Sequence, residues 1–280
     1  MRFLAAIRLD EVLVLQGTPL MGALLAGRLD IAGLALLLLG NGLLVAHVFA
    51  LNDYAGLVAD ARDSARTQRG LGTSGLSRSA MKGLIVALLV LALAVLAGLG
   101  FEPVYLGAFL AMLSALYSVP RLHWKGVPVV CSALHLSGGA AHFLLGYASF
   151  SPLDTRALAI SLFFGLAFAA GHLTHEARDH AADLGNSIRT NAVQFSPRTA
   201  FLWGLALFTL TYLLMALLAL RGDVPTLLAA TPLLLPFHLW GARRALQAGL
   251  THNSLLTLQW QYRALFAFVG VVALAASTIS

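Results

Sequence analysis

The sequence predicts an all-α integral membrane protein with about nine transmembrane helices. Of its 280 residues, 59% are hydrophobic and only 11% are charged, whereas typical soluble domains carry about 25% charged residues. A helix needs about 20 apolar residues to cross the roughly 30 Å hydrocarbon core of a bilayer, and runs of that length recur along the chain. Lysine and arginine are concentrated in alternate loops, which is typical of multi-pass membrane proteins.

The candidate spans can be placed in order because turn-forming residues separate them. No stretch has the composition of a separate soluble domain, so we expect a single transmembrane domain over residues 1–280. Glycine and proline mark four short loops, which we expect to join antiparallel helices: 27–30, 100–103, 149–154 and 221–225. The spans themselves are roughly 11–28, 31–53, 81–100, 103–119, 127–149, 156–176, 199–220, 224–242 and 260–279.

The distribution of positive charge predicts which loops face the cytoplasm. With nine spans, the N-terminus and the loops after even-numbered spans share one side, and only Arg28, Arg156 and Arg221 of the 18 lysines and arginines fall on the other. The positive-inside rule places the lysine- and arginine-rich side in the cytoplasm. We therefore expect a protein of the cell (inner) membrane with a cytoplasmic N-terminus, which lacks the pattern of a removable signal peptide. The one cysteine, Cys131, is expected to be a small apolar helix residue.

An acidic stretch at the cytoplasmic end of the sixth span predicts a metal site. In EARDHAAD (176–183), Glu176, Asp179 and Asp183 are spaced i, i+3 and i+7 and so share one face of a helix. Three carboxylates on one stripe repel one another, and a divalent cation would remove that repulsion. Mg²⁺ prefers oxygen ligands and is commonly held by one or two carboxylates together with substrate phosphates. The alternative is a solvated helix end with three acids by chance.

A second acidic stretch, NDYAGLVADARD (52–63), follows the second span on the same side of the membrane. Asp53 and Asp60 are seven residues apart and share a face, with Asn52 next to them and Asp63 one turn further along. Ionisable residues at the ends of membrane spans, away from lipid, point to function. We expect the two acidic clusters to face each other across a cavity that opens to the cytoplasm.

Basic residues accompany both acidic clusters and favour a polyanionic substrate over a simple cation. A divalent metal combined with arginine and lysine is an arrangement that binds and stabilises a diphosphate. Positive-inside topology alone would account for many of these residues, so the combination of acids and bases carries the prediction. The basic candidates are Arg62, Arg66 and Arg69 after the first cluster, Arg121 and Lys125 in YSVPRLHWK (117–125), and Arg189 after the second cluster.

Three motifs in this order resemble those of the UbiA superfamily of intramembrane prenyltransferases. The first family signature, NDxxDxxxD, corresponds to NDYAGLVAD (52–60), and residues 61–81 are similar to a family stretch that ends in Ser-Gly-Arg-(Ile/Leu)-Ser. The family pattern YSxPxxxxK appears as YSVPRLHWK, and the second signature as EARDHAADLGNSIRT (176–190). The match departs from the family at Gly56, which stands where relatives have the middle aspartate of the first signature. Asp63 could partly replace that aspartate.

The resemblance implies a nine-helix fold with a central cavity, a cytoplasmic cap and a lateral opening to lipid. It also implies that Mg²⁺ and the diphosphate of an isoprenyl donor are bound by the two acidic motifs. Carried over by position, the metal-binding residues are Asn52, Asp53, Asp60, Glu176, Asp179 and Asp183, and the four aspartates among them are the catalytic residues. The residues implied to contact diphosphate or gate the site are Arg66, Arg69, Tyr117, Arg121, Lys125 and Arg189, to which we add Arg62 and Asp63.

Polar residues inside the spans are further candidates for the substrate site. His172 and His175 lie within about one turn before Glu176, and one of them could take a proton from an acceptor or orient an acid. Asn41 and His47 lie nearly two turns apart on the second span and could line the same cavity. None of the histidines is expected to bind Mg²⁺, which prefers oxygen ligands.

The predicted function is Mg²⁺-dependent transfer of a polyprenyl group from an isoprenyl diphosphate to an aromatic or lipid-like acceptor. The expected partners are that substrate and the lipid bilayer, not a nucleic acid, and the sequence leaves open whether a homodimer forms. The alternative within the same fold is a terpene cyclase, which ionises a polyprenyl diphosphate without an acceptor. A CDP-alcohol phosphotransferase is disfavoured because its DGxxAR opening is absent, and a transporter because the acids lie at one membrane face.

Overall fold

The computed structural model describes residues 7–60 and 75–279, and their side chains apart from those of 58–60 and 277–279. Over this part of the chain there are helices and turns but no β-strand, which confirms the all-α class. The α-helices are α1 (Leu9–Leu15), α2 (Gly17–Ala26), α3 (Ile31–Asp60), α4 (Arg78–Ala97), α5 (Phe101–Ser118), α6 (Val130–Ala148), α7 (Thr155–Gly185), α8 (Asn191–Phe195), α9 (Pro197–Leu220), α10 (Leu235–Gln247) and α11 (His252–Ile279), and 3₁₀ helices occupy Trp124–Gly126 and Thr226–Leu234.

Seven segments of the described chain are long and apolar enough to cross a membrane. They are Leu9–Ala26, Ile31–Leu57, Arg78–Ala97, Phe101–Ser118, Thr155–Gly185, Pro197–Leu220 and His252–Ala276. The fifth predicted span forms α6, which is 19 residues long, but His135 and His142 lower its hydropathy. The eighth predicted span is divided between a 3₁₀ helix that contains Pro232 and the separate helix α10. The total of nine spans therefore stays a prediction.

The predicted short loops are the places where helices end. Gly27, Gly100 and Gly222 have φ angles of 75°, 125° and 81°, a region that glycine adopts without the steric cost that a side chain brings. Asp154 is the last residue of the 149–154 loop and caps α7, because its side chain accepts a hydrogen bond of 2.6 Å from the Ala157 N–H. These features confirm the turns expected from glycine and proline at 27–30, 149–154 and 221–225, whereas residues 101–103 of the second predicted loop form the first turn of α5.

Contacts divide the chain into two compact units. The first comprises Met1–Trp124 and Ala141–Leu153, and the second comprises Lys125–Ala140 and Asp154–Ser280. The first acidic motif belongs to the first unit, and the second acidic motif belongs to the second. The expectation of a single domain over residues 1–280 stays a prediction.

In the first unit, α3 is the central element and packs against α1, α2, α4 and α5. Glycine allows α2 and the C-terminal half of α6 to approach until their backbones touch. A Cβ atom at Gly146 would overlap the carbonyl oxygen of Pro19, and one at Gly22 would overlap that of Phe143. The buried core residues of this unit include Val12, Leu37, Leu44, Val45, Ala46, Ala50, Met81, Ile85, Leu88, Leu96, Ala111 and Leu145.

In the second unit, α7 packs along α9 and also contacts α8 and α11. The close approach of α7 and α9 depends on Gly204, where a Cβ atom would lie 2.9 Å from the carbonyl oxygen of Ala170. The last turns of α7 carry the second acidic motif into the interior of this unit. Aromatic side chains fill much of the core around α9 and α11, including Phe208, Tyr212, His238, Tyr262 and Phe266.

Candidate functional site

The second acidic motif lies on the last turns of α7, where its three carboxylates have different surroundings. Glu176 and Asp183 are buried, with 4% and 3% of their surface exposed, whereas Asp179 is partly exposed. All three share one stripe of the helix, as their spacing predicts. A buried carboxylate requires hydrogen bonds or a counter-charge, and the three side chains obtain them from different residues.

The two aspartates of this motif each lie beside a cation. Lys125, in a short 3₁₀ helix, has its Nζ 3.4 Å from Oδ1 of Asp183. Asp179 pairs with its neighbour Arg178, whose Nε is 2.9 Å from Oδ1 and whose Nη2 is 3.2 Å from Oδ2. Arg178 also donates a hydrogen bond of 2.6 Å to Oε1 of Gln259 on α11. The sequence predicted Lys125 as a site residue, and in the structure its ammonium group lies beside the Asp183 carboxylate.

Glu176 contacts a different kind of neighbour. Its Oε1 lies 2.9 Å from Nε2 of His172 and accepts a hydrogen bond of 3.2 Å from the Cys131 thiol, and its Oε2 accepts one of 2.9 Å from Asn191. The potential ligand atoms of Cys131, His172 and Glu176 all lie within 4.8 Å of one another. In the part of the chain that the structure describes, this is the one group of three such side chains close enough to hold a metal ion.

Asn191, at the start of α8, joins this group to the beginning of α6. Its Nδ2 is 3.2 Å from Sγ of Cys131 and 3.1 Å from Oγ of Ser132, and its Oδ1 accepts a hydrogen bond of 2.7 Å from the Val129 N–H. Val129 has a φ of 66°, which a β-branched residue adopts only at a cost of about 1–3 kcal/mol. The hydrogen bond from the Val129 N–H to Asn191 therefore holds a strained residue immediately before α6.

The first acidic motif is at the end of α3, and Asp53 is its best-described member. Asp53 is buried, with 5% of its surface exposed, and Arg8 donates to both of its oxygens, from Nε to Oδ2 at 3.2 Å and from Nη2 to Oδ1. The Arg8 guanidinium also lies 5.5 Å from the ring centre of Phe49, within the range of a cation–π contact. Asn52 is half-buried beside Asp53, and Asp60 ends α3, although the side chain of Asp60 lies outside the described residues.

Comparison with known proteins places the chain in a family. Residues 17–249 match the UbiA prenyltransferase family. The chain belongs to this family. Among curated proteins, none matches with significant similarity. Family membership together with the seven apolar helices identifies a multi-pass membrane protein and a prenyltransferase-type enzyme.

Several solved structures share the fold over almost the whole chain. A UbiA homolog from Archaeoglobus fulgidus bound to GPP and Mg²⁺ has a TM-score of 0.78 and 18% identity, covering 98% of this chain and 100% of that chain. A digeranylgeranylglyceryl phosphate synthase has a TM-score of 0.74 and 14% identity, with coverages of 99% and 97%. The apo structure of a UbiA homolog from Aeropyrum pernix K1 has a TM-score of 0.74 and 16% identity, with coverages of 95% and 98%. At these identities the likeness is one of fold.

The predicted polar residues of α3 in this UbiA-family chain make hydrogen bonds that tie helices together. Asn41 is fully buried, donates to Oε1 of Gln16 at 2.7 Å, and has its Oδ1 2.7 Å from Nε2 of His142. Nδ1 of His47 lies 2.8 Å from the carbonyl oxygen of Ile85 on α4. The predicted contact of Asn41 and His47 with substrate stays a prediction.

The other predicted substrate-binding residues are less buried. Tyr117 is half-buried near the end of α5, and Arg121 is exposed in the following turn. Arg189 is also exposed, and its Nη2 donates a hydrogen bond of 2.6 Å to Gln194. His175 has Nε2 3.4 Å from a tyrosine hydroxyl of α11. Arg62, Asp63, Arg66 and Arg69 lie outside the described residues.

Sequence reasoning did not single out Arg8, Cys131 or Asn191 as site residues. Arg8 and Cys131 are each 45 residues away from the carboxylate that they contact, so no local spacing connects them. Cys131 lies in a helix, as expected, and is fully buried, but its thiol contacts an acid rather than apolar groups alone. One local signal was available: His172 and Glu176 are four residues apart, which places them on one face of a helix.

Proposed function

We propose that this protein transfers a prenyl group from an isoprenyl diphosphate to an aromatic or lipid-like acceptor in a Mg²⁺-dependent reaction. Membership in the UbiA prenyltransferase family supports the class of chemistry. The observation that carries the site is that every motif aspartate with a described side chain lies beside a cation. The pairs are Asp53 with Arg8, Asp179 with Arg178, and Asp183 with Lys125.

The donor atoms of the motif aspartates fit Mg²⁺. Asp179 and Asp183 present carboxylate oxygens from adjacent turns of α7, and oxygen is the ligand that Mg²⁺ selects. We assign Mg²⁺ to these two residues on the second motif and to Asn52, Asp53 and Asp60 on the first. The Archaeoglobus fulgidus homolog binds GPP and Mg²⁺ together, which supports the same combination in this chain.

The chain's own cations complete the binding of the diphosphate. When bound, Mg²⁺ would offset the negative charge that develops on the diphosphate as the allylic C–O bond breaks. Lys125 and Arg178 lie next to the motif aspartates, so they are within reach of phosphate oxygens once the carboxylates bind metal. The bonding electron pair leaves with the diphosphate, the prenyl carbon forms a bond to the acceptor, and the acceptor gives up a proton.

Product identification tests the proposal. The purified protein in detergent is incubated with Mg²⁺, with geranyl, farnesyl or geranylgeranyl diphosphate, and with phenolic or lipid-like acceptors, and products are identified by mass spectrometry. We expect diphosphate release that depends on Mg²⁺ and on acceptor, with one prenyl group added to the acceptor.

Omitting the acceptor separates transferase from cyclase. A hydrocarbon or terpene alcohol formed from the diphosphate alone would contradict prenyl transfer and indicate a terpene cyclase. No diphosphate release from any donor, with any acceptor, would contradict ionisation of an isoprenyl diphosphate altogether.

A further inference from the structure

We propose that Cys131, His172 and Glu176 form a binding site for a thiophilic divalent cation of the Zn²⁺ class, separate from the Mg²⁺-binding aspartates. All three side chains are buried, with 0%, 7% and 4% of their surface exposed. They come from two helices, since Cys131 is in the first turn of α6 and the other two are one turn apart on α7. The site is independent of the prenyl transfer proposed above.

The distances between the three side chains are close to those of a tetrahedral zinc site. The sulfur of Cys131 is 3.2 Å from Oε1 of Glu176, Nε2 of His172 is 2.9 Å from the same oxygen, and all three ligand atoms lie within 4.8 Å of one another. Bonds of about 2.3 Å to sulfur and about 2.0–2.1 Å to nitrogen and oxygen, at tetrahedral angles, separate ligand atoms by about 3.3–3.6 Å. Small side-chain movements would therefore admit an ion.

The donor set selects for a soft or borderline cation. Thiolate and imidazole suit Zn²⁺, whereas Mg²⁺ requires oxygen ligands. The sulfur and nitrogen donors next to Glu176 therefore favour a different cation there than at Asp179 and Asp183, although the three residues share one stripe of α7. A thiolate, a carboxylate and a neutral imidazole also give an electrically neutral site with Zn²⁺, which is the least costly charge state to bury.

Neighbouring residues hold the ligands in place, as the residues around metal sites commonly do. Asn191 donates to the second oxygen of Glu176 at 2.9 Å, which fixes the carboxylate. The ring of His135 stacks on that of His172 with centroids 3.6 Å apart and an angle of 8° between the planes. Three protein ligands leave a fourth tetrahedral position for water or for an oxygen of a bound molecule.

Cobalt spectroscopy tests the site with little ambiguity, because Cys131 is the only cysteine in the chain. The full-length protein in detergent is stripped with a chelator, returned to excess Mg²⁺, and titrated with Co²⁺ or Zn²⁺. We expect one bound ion per chain, a thiolate-to-cobalt charge-transfer band, and release of protons, since the thiol must be deprotonated to bind metal. Excess Mg²⁺ should not displace the ion.

Variants separate a metal site from a hydrogen-bonded cluster. C131S keeps a donor for Glu176 but removes the thiolate, so we expect the charge-transfer band to vanish and Zn²⁺ affinity to fall by more than the roughly 10–100-fold typical of losing an outer partner. N191A removes only an outer partner and should cost about 10–100-fold. H142Q removes another buried histidine of α6, one that contacts Asn41, and should leave Zn²⁺ binding unchanged.

The proposal is overturned by any of three results in folded protein. These are the absence of a charge-transfer band in the unmodified chain, Zn²⁺ affinity that survives in C131S, and displacement of Zn²⁺ by millimolar Mg²⁺. Each would leave Cys131, His172 and Glu176 as a purely hydrogen-bonded cluster. Size-exclusion profiles and thermal unfolding of each variant show whether it is folded, and the conservative C131S change keeps the test valid if N191A fails to fold.

Discussion

At the scale of single residues, Asp53 illustrates how an acid is kept inside an apolar helix. Arg8, 45 residues away in the chain, donates to both of its carboxylate oxygens. Removing one partner of a buried ion pair leaves a charge that the protein interior solvates poorly. The Arg8 side chain is 33% exposed, so water moderates the loss. If Asp53 is also a Mg²⁺ ligand, Arg8 and the metal compete for the same oxygens.

Replacing Arg8 tests this competition. We expect R8Q to lower the free energy of unfolding without metal by about 1.5–3 kcal/mol, the range for a hydrogen bond to a charged group. We also expect Mg²⁺ to raise the melting temperature of R8Q more than that of the unmodified protein, because the competing guanidinium is gone. R8K is the matched control, since it keeps the charge but loses the two-pronged contact. If Mg²⁺ raised the melting temperature of R8Q no more than that of the unmodified protein, Asp53 would not be a Mg²⁺ ligand.

Substitutions of different acids in the second motif are predicted to change the Mg²⁺ requirement of the reaction differently. D183N removes an assigned ligand, so we expect the Mg²⁺ concentration for half-maximal diphosphate release to rise and kcat to fall by about 100-fold or more. E176Q should leave the half-maximal Mg²⁺ concentration unchanged, because Glu176 faces Cys131 and His172. The measurement is diphosphate release against Mg²⁺ concentration. If the half-maximal Mg²⁺ concentration rose equally in E176Q, Glu176 would be a Mg²⁺ ligand as well.

Sequence reasoning identified the motif carboxylates but not all of their partners, for a physical reason. Glu176, Asp179 and Asp183 are recognisable because the helical repeat fixes which residues share a face. Arg8 and Cys131 reach their carboxylates through tertiary packing, which local spacing does not encode. Lys125 was singled out as a basic residue between the two acidic motifs and by its place in the family pattern, not by a spacing that links it to Asp183.

At the scale of elements, α6 contains two glycines whose surroundings differ. Gly146 lies where α6 meets α2, and a Cβ atom there would overlap the backbone of Pro19. Gly138, two turns earlier on the same helix, has open space, with no atom within 4 Å of an added Cβ. Backbone atoms cannot rotate away as side chains do, so a side chain at Gly146 would push the two helices apart.

A pair of alanine substitutions on α6 tests this packing. We expect G146A to lower the free energy of unfolding by about 1–3 kcal/mol, the usual cost of overpacking. G138A should be neutral or stabilising by up to about 1 kcal/mol, since alanine is the better helix former where space allows. Thermal unfolding in one detergent compares the two. Equal stability of both variants would contradict direct backbone contact between α2 and α6.

The same helix also shows where apolar composition and length do not define a span together. Long apolar runs such as those of α3 and α9 were predicted because hydropathy and length agree. α6 and the segment before α10 are ambiguous because histidines lower the hydropathy of the first and Pro232 interrupts the second. These two elements account for the difference between the nine predicted spans and the seven apolar segments of the described chain.

At the scale of the whole molecule, the number of spans decides which loops face the cytoplasm. Nine spans place the 149–154 loop outside and the loop after α7 in the cytoplasm, in agreement with the positive-inside rule. If α6 and α10 did not cross, the number of crossings before each of these two loops would change by one. Their sides would then be exchanged, and the second acidic motif would lie at the outer surface.

Cysteine labelling at two exposed positions distinguishes these topologies. Leu153 is 39% exposed and Ser187 is exposed, whereas the native Cys131 is fully buried and should not react. We expect L153C to react with a membrane-impermeant maleimide in whole cells, and S187C to react only after permeabilisation. Labelling of both in a C131S background after full unfolding in detergent controls for the reactivity of the introduced cysteines. The reverse pattern would contradict nine spans, because it would place the second motif on the opposite side from the cytoplasmic arginines and lysines. The expected pattern would place the paired aspartates and cations on the side where soluble metal and diphosphate are supplied.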